Sequence, residues 1–288
     1  MPTPFSAFTL NCNGRLFVAE RPVVMGILNA TPDSFHAASR VASVQQAVDQ
    51  AGTMLAAGAD WLDVGGMSSR PGAQLISATE EIDRVAPVFE ALHGAFPDAY
   101  LSCDTIYAAT ARAAVAAGAA MINDISAGKF DDALFATVAE LNVPYVLMHM
   151  PGQPADMQRF TDRYGSDVTV AVWDFLAARI GELHAAGVRD ILADPGWGFG
   201  KSVAQNYTLL RELAVFRTLG VPVFVGISRK SSVWRPLGIT AAESLSATTA
   251  LHLYALQQGA AFLRVHDVAE AVQTVRLREL LDHQPVDG

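Results

Sequence analysis

Eight apolar runs in this chain end on groups that carry charge or form hydrogen bonds. These are Asn29, Asp63, Asp104 with Thr105, Asn123 with Asp124, His149, Asp194, Ser228-Arg229-Lys230, and Arg264 with His266. A single polar residue in such a place need only cap the helix that follows. Eight in succession mark a polar site. Asp104, Asn123, Asp194 and Lys230 mix acceptors with donors, which suits the edge of a flat heterocycle. A carboxylate taken out of water needs such a partner. Asn29, Arg70, Arg264 and His266 suit an anion, with Asn29 able to offer an oxygen to a divalent metal. The plainer alternative for Arg264 and His266 is an ion pair with Asp267. His149 reads equally as a strand cap or a ligand contact, whereas Trp61, Cys103 and His252 read as interior packing.

One further stretch, "DPGWGFGKS" (Asp194 to Ser202), ends in Gly-Lys-Ser and raises the question of a nucleotide cradle. A P-loop places four residues between its first glycine and Gly-Lys-Ser/Thr. Counting back from Gly200, that position holds Pro195, which has no N–H to offer a phosphate. Gly196 leaves one residue too few. The spacing argues against a nucleotide triphosphate.

The elements that carry these groups repeat. The apolar runs are Val23–Leu28, Asp60–Val64, Ala99–Cys103, Ala119–Ile122, Tyr145–His149, Asp190–Ala193, Val223–Ile227 and Phe262–Val265. Several follow a helix-stopping glycine: Gly58, Gly118, Gly187, Gly220 and Gly259. Helical stretches such as "SVQQAVDQAGTMLAAG" lie between them, and strands alternating with helices imply a parallel sheet covered on both faces. Eight units predict a closed (β/α)8 barrel, with an open doubly wound sheet as the alternative. In a barrel the polar strand ends meet at the C-terminal mouth, where active sites lie. Asn13-Gly14 between alternating apolar residues predicts a β-hairpin over about residues 8–18, ahead of a barrel over about 22–282. No composition break divides the chain, so one domain over residues 1–288 is expected.

Bulk properties narrow the function. A net charge of −9 argues against a nucleic-acid surface, so an anionic ligand must be held by a few local cations. Two cysteines without a C-x-x-C spacing predict neither a redox nor a zinc motif. No apolar run approaches the roughly 18 residues of a membrane span. The first residues, "MPTPFSAFTL", lack the basic stretch of a signal peptide, and a cytoplasmic location is expected.

Taken together, "MGILNATPDSF", "DVGGMSSRPGA", "CDT", "INDI", "LMHM", "DPGWGFGKS", "VGISRKS" and "RVHDV" run in order from about residue 23 to 270 and resemble the dihydropteroate synthase family. The resemblance implies condensation of 6-hydroxymethyl-7,8-dihydropterin pyrophosphate with 4-aminobenzoate, giving 7,8-dihydropteroate and pyrophosphate in folate synthesis. It implies a pterin site of Asp104, Asn123, Met148, Asp194, Phe199, Gly226 and Lys230. Pyrophosphate would meet Asn29, Arg70, Arg264 and His266, with Mg2+ at Asn29. The 4-aminobenzoate would meet Phe35, Ser69, Arg70, Pro71 and Ser231. Asp104, Lys230 and Arg264 would carry the catalytic weight, and a homodimer is implied. The chain departs from the family pattern where Ser-Asp-Gly-Gly usually follows "TPDSF", reading His36-Ala37-Ala38-Ser39. Met67 stands where a glutamate is usual, and Ser69 where a threonine is. Thr31 to Ser39 is expected to be a mobile loop, and the missing acids predict weaker Mg2+ recruitment with pterin binding kept. Two alternatives follow: a pterin-binding paralogue that is slow or uses another acceptor, and a pterin-binding methyltransferase.

Overall fold

A computed structural model describes residues 5–30, 37–68, 72–165 and 167–282, with the backbone alone for 37–43. A two-stranded antiparallel hairpin, β1 (Phe8–Cys12) and β2 (Arg15–Ala19), precedes a closed barrel of eight parallel strands. These are β3 (Val23–Asn29), β4 (Trp61–Gly65), β5 (Tyr100–Asp104), β6 (Met121–Asp124), β7 (Tyr145–Met148), β8 (Ile191–Asp194), β9 (Val223–Val225) and β10 (Ala260–Val265). They follow one another round the ring, and β10 closes on β3. The connecting helices are α1 (Ala37–Ala56), α2 (Ala78–Ala95), α3 (Ala108–Ala116), α4 (Leu134–Leu141), α5 (Val168–Ala186), α6 (Val203–Arg211), α7 (Ser231–Trp234), α8 (Leu245–Gln257) and α9 (Val268–Asp282).

Alternation along the strands sorts the side chains. Leu62, Val64, Leu101, Cys103 and Ile122 face outward and join the helices in the main core. The inward set runs in rows set by register. Met25, Trp61 and Tyr100 form one row; Ile27, Asp63, Ser102 and Met121 the next; Asn29, Gly65, Asp104 and Asn123 the row above. Apolar residues thus fill the lower barrel, and polar ones gather towards the mouth. The hairpin seals the lower end: Leu10, Cys12 and Phe17 pack with Trp61, Phe224 and Phe262. Phe17 meets Trp61 edge-on at 5.4 Å between centroids, and Trp61 stacks on Tyr100 at 4.9 Å. The backbone N–H of Asn11 donates to Asp190 at 2.8 Å, fixing the hairpin to the start of β8.

Each barrel strand differs from its apolar run by one or two residues at an end, and two of these shifts bear on the site. Ala119 lies past the end of α3, its N–H capping the helix at Ala114 O at 2.9 Å, so β6 starts at Met121 and contains Asn123 and Asp124. Asp60 precedes β4 and accepts from the N–H of Val24 at 2.9 Å, so the strand runs one residue further, to Gly65. The expected loop Thr31 to Ser39 is shortened by the structure. Thr31 to His36 lie outside the described residues, and the backbone of Ala37, Ala38 and Ser39 is the first turn of α1. Alanine is the strongest helix former, which is the physical reason.

Trp61 is fully buried and bridges hairpin to barrel floor. Trp61→Ala should lower stability by about 3–5 kcal/mol, the range for emptying a large aromatic site. A urea midpoint within error of the parent would show that the hairpin and floor do not depend on it.

Candidate active site

At the mouth, one guanidinium joins residues from four strands. Arg264 on β10 donates through Nε to Asp63 Oδ2 at 2.6 Å and through a terminal nitrogen to Asp104 Oδ2 at 2.9 Å. Asn123 Nδ2 donates to the same Asp63 oxygen at 2.9 Å. The alternation places all four inside the barrel, and Asp63 is fully buried. Burial drives the Asp104 carboxyl up to about 7; Arg264 opposes this and Asp63 adds to it. Burial also works against the charge of Arg264, but Asp63 and Asp104 outweigh it and hold the guanidinium above its ordinary pKa.

The loop after β8 forms the adjoining wall. Asp194, the last residue of β8, accepts the Gly196 N–H at 2.7 Å, and burial raises its pKa against the pull of Lys230. Gly196 has φ +74, and a Cβ there would lie 1.9 Å from His149 O, so only glycine lets this loop pass the end of β7. Lys201, the lysine of Gly-Lys-Ser, turns inward. Its Nζ bonds His149 Nδ1 at 2.9 Å, Gly196 O at 2.9 Å and Phe199 O at 3.1 Å. Burial, chiefly, holds both Lys201 and His149 well below their usual pKa values. Ser202 caps α6 in a reciprocal pair with Gln205. This is a strut between two loops, with no free ammonium for a phosphate. His149 is therefore a structural acceptor, packed edge-on against Phe175 at 4.8 Å.

The loop after β9 carries a second strut. Arg229 adopts a left-handed backbone, φ 53, rare for a long side chain. Its guanidinium clasps Asp267 with two bonds, Nε to Oδ2 at 2.8 Å and a terminal nitrogen to Oδ1 at 2.7 Å. Asp267 is thus the partner of Arg229. The simple pairing of Asp267 with Arg264 or His266 does not form. Lys230 donates to Trp197 O at 2.6 Å and lies 4.3 Å from the Phe199 ring centre. Burial lowers its pKa to about 8, with Asp194 pulling the other way. His266 Nδ1 meets Ser228 Oγ at 3.0 Å; although the residue reaches the surface, partial desolvation of its ring, helped by Arg264, lowers its pKa to about 4. It is neutral at pH 7 and offers a hydrogen bond rather than a charge.

With this geometry in place, comparison with known proteins settles the family. The pterin-binding enzyme family model matches residues 25–266. A dihydropteroate synthase from Streptococcus pyogenes serotype M18 (strain MGAS8232) is 45% identical over 259 residues, covering 88% of this chain and 94% of its own. The structure of Xanthomonas albilineans dihydropteroate synthase with 4-aminobenzoic acid superposes with a TM-score of 0.88 at 42% identity, over 97% of this chain and 100% of that one. The same enzyme in complex with 7,8-dihydropteroate gives 0.85 at 40% identity, over 96% and 100%. The chain belongs to the dihydropteroate synthase family.

Of the residues that the dihydropteroate synthase pattern singles out, the structure brings together Asp104, Asn123 and Arg264, and separately Lys230 and Phe199. Met148 and Phe199 share an apolar cluster with Ile106, Ile125, Met150 and Met157, against which Met67 packs. Gly226 lies beside Lys230 and Arg264, where a Cβ would be 3.7 Å from Lys230 Nζ. Asn29 is the exposed last residue of β3, and Ser231 opens α7 directly after Lys230. Phe35, Ser69, Arg70 and Pro71 lie outside the described residues. The heterocycle and anion sets, separate by residue type, are joined through Arg264 and Asp104. Residue type alone puts Asp63 in neither set, although its even spacing from Trp61 in "DWLDV" places it on the inward face. Lys201 was visible only as part of its motif.

Lys201→Met would leave carbonyls of both loops and His149 Nδ1 without their donor. Each unmet buried acceptor costs about 1–3 kcal/mol, and hydrogen exchange across residues 194–201 should quicken while the barrel strands stay protected. Unaltered exchange there would remove Lys201 from its role as strut.

Proposed function

We propose that the chain joins the methylene carbon of 6-hydroxymethyl-7,8-dihydropterin pyrophosphate to the amine of 4-aminobenzoate, releasing pyrophosphate. The observation that carries this is the single cluster in which Arg264 is held by Asp63 and Asp104 beside Asn123. It sets a cation for a leaving anion against acceptors and donors for a heterocycle edge. The X. albilineans complexes with 4-aminobenzoic acid and with 7,8-dihydropteroate support the same substrates here. Asp104, Asn123, Asp194 and Lys230 would hold the pterin edge, with Met148, Phe199 and Gly226 against its faces. Arg264 and neutral His266, with Arg70, would take the pyrophosphate; Phe35, Ser69, Arg70, Pro71 and Ser231 would receive 4-aminobenzoate.

In the reaction the C–O bond to pyrophosphate breaks, the C–N bond forms, and the amine loses a proton. Negative charge grows on pyrophosphate and positive charge on the pterin. Arg264 answers the first, the carboxylates of Asp104 and Asp194 the second, and all three are already in place before the reaction. Holding amine and methylene carbon in line supplies the remaining advantage.

Magnesium fits this site only as a shared ion. Among the described residues no group of three His, Cys, Asp or Glu could hold one. Asp63 and Asp104 are committed to Arg264. Mg2+ commonly binds through one or two protein oxygens plus substrate phosphates. Asn29 could be one such oxygen, and a bound Mg2+ would neutralise charge on the leaving pyrophosphate. A homodimer and a cytoplasmic location complete the reading. Exposed Tyr254, Leu277, Leu280 and Leu281 on α8 and α9 support the first; among the described residues no helix is long and apolar enough to cross a membrane.

The direct test is pyrophosphate release from the pterin substrate, expected to depend on 4-aminobenzoate and to match dihydropteroate formed. Bound pterin without condensation would favour the paralogue with another acceptor. Arg264→Lys should weaken pyrophosphate more than free pterin, because lysine lacks the planar fork. Equal losses for both ligands would give Arg264 a purely structural part.

Lys230 is charged below its pKa of about 8 and neutral above it. Pterin affinity should therefore fall as pH rises through that value. Lys230→Arg, charged at every accessible pH, should lose this limb. A limb at the same pH in both proteins would assign it to another group.

A further inference from the structure

Asn123 and Arg264 enter the mouth from β6 and β10, which are not neighbours in the ring, yet both donate to one oxygen. That oxygen belongs to Asp63, which is 0% exposed. Its register partners are Ile27 on β3 and Ser102 on β5, so the carboxylate is walled in on both sides. Its other oxygen, Oδ1, has no partner among the described residues. The two donors belong to different halves of the site proposed above: Asn123 to the pterin half and Arg264 to the pyrophosphate half.

We infer that Asp63 is a positioning residue that couples the two halves, so that pyrophosphate and pterin bind more tightly together than alone. The inference rests on the proposed substrates. Pyrophosphate competes with Asp63 and Asp104 for the guanidinium of Arg264. As Arg264 turns towards the anion, the shared Oδ2 is left to Asn123, which it then holds more firmly for the heterocycle. Asp104 Oδ2 is released in the same movement and becomes an acceptor for pterin N–H groups. Both exchanges occur in a buried setting where hydrogen bonds are strong and poorly screened. Linkage makes the effect mutual: pterin must raise pyrophosphate affinity by the same factor. Asp63 itself need touch neither ligand. Its part is to make one donor's position depend on the other's.

The experiment measures binding of 6-hydroxymethylpterin to the full chain by calorimetry, with and without saturating inorganic pyrophosphate and Mg2+. In the parent protein pyrophosphate should raise pterin affinity about fivefold or more, within the usual range of such coupling. In Asp63→Asn, which keeps the size of the side chain, the ratio should fall by about twofold or more, to the share that Asp104 still carries, while each ligand alone still binds. Asn123→Ala supplies a second route that leaves the Asp63–Arg264 bond in place. It should shift pyrophosphate affinity severalfold although Asn123 belongs to the other half, and this shift should vanish in the Asp63→Asn background. A coupling ratio unchanged by Asp63→Asn would overturn the inference, as would Asn123→Ala with parental pyrophosphate affinity. Failure of either ligand to bind the parent protein would instead overturn the proposed substrates, and the coupling with them.

Discussion

Arg264 puts a permanent cation inside a closed ring of strands, and the design of the mouth follows from keeping it there. A guanidinium in that place has little access to water, so its charge must be met by the protein. Asp63 and Asp104 meet it from two neighbouring strands. The excess negative charge this leaves is shared by Asn123 and offset nearby by Lys230, itself drawn below its ordinary pKa by burial. None of these groups would be stable in its place without the others. An anion entering the mouth would therefore compete directly with Asp63 and Asp104 for the guanidinium.

The loops hold this cluster in register by means that are mostly not chemistry. Lys201 ties the loops after β7 and β8 together, and Gly196 permits the close crossing. Arg229 pulls the turn after β9 onto Asp267, and that clasp offsets a left-handed backbone at an arginine. Lys230 is the residue that follows, so the strained turn fixes where its ammonium emerges. Backbone strain here aims the side chain that lies over Phe199.

Much of this was legible in the residue order because a barrel converts period-two alternation into layers. The apolar runs and the glycines that stop the helices named every barrel strand, and the polar strand ends named the mouth. The hairpin announced itself through Asn13-Gly14. What escaped was pairing across the ring. Arg264 faces into the barrel from β10, whereas Arg229 and Asp267 lie in the loops after β9 and β10, so their pairing is set by turn geometry that the residue order does not show. Asp63 was hidden for a different reason: one residue short of the apparent strand end, it reads as an edge group, whereas β4 runs on to Gly65 and buries it. The spacing of Gly-Lys-Ser already set aside a phosphate loop, but the part Lys201 plays instead depends on the direction of its side chain, which the residue order does not carry.

The departure at Met67 makes sense in the same electrostatic terms. The mouth already holds Asp63 and Asp104, with Glu81 and Asp124 close enough to raise Asp104 further. An acid at position 67 would add charge on a neighbouring loop whose described cation, Arg84, is already bonded to Gly66 O at 2.8 Å and paired with Glu80 at 2.6 Å. Methionine instead lets that loop rest on the apolar cluster around Met148 and Phe199. The loop gains a contact with the wall proposed for the pterin, and the mouth loses a possible oxygen for a metal. A metal ion would then depend more on the oxygens its pyrophosphate brings, and Arg264 would bear more of the leaving group's charge.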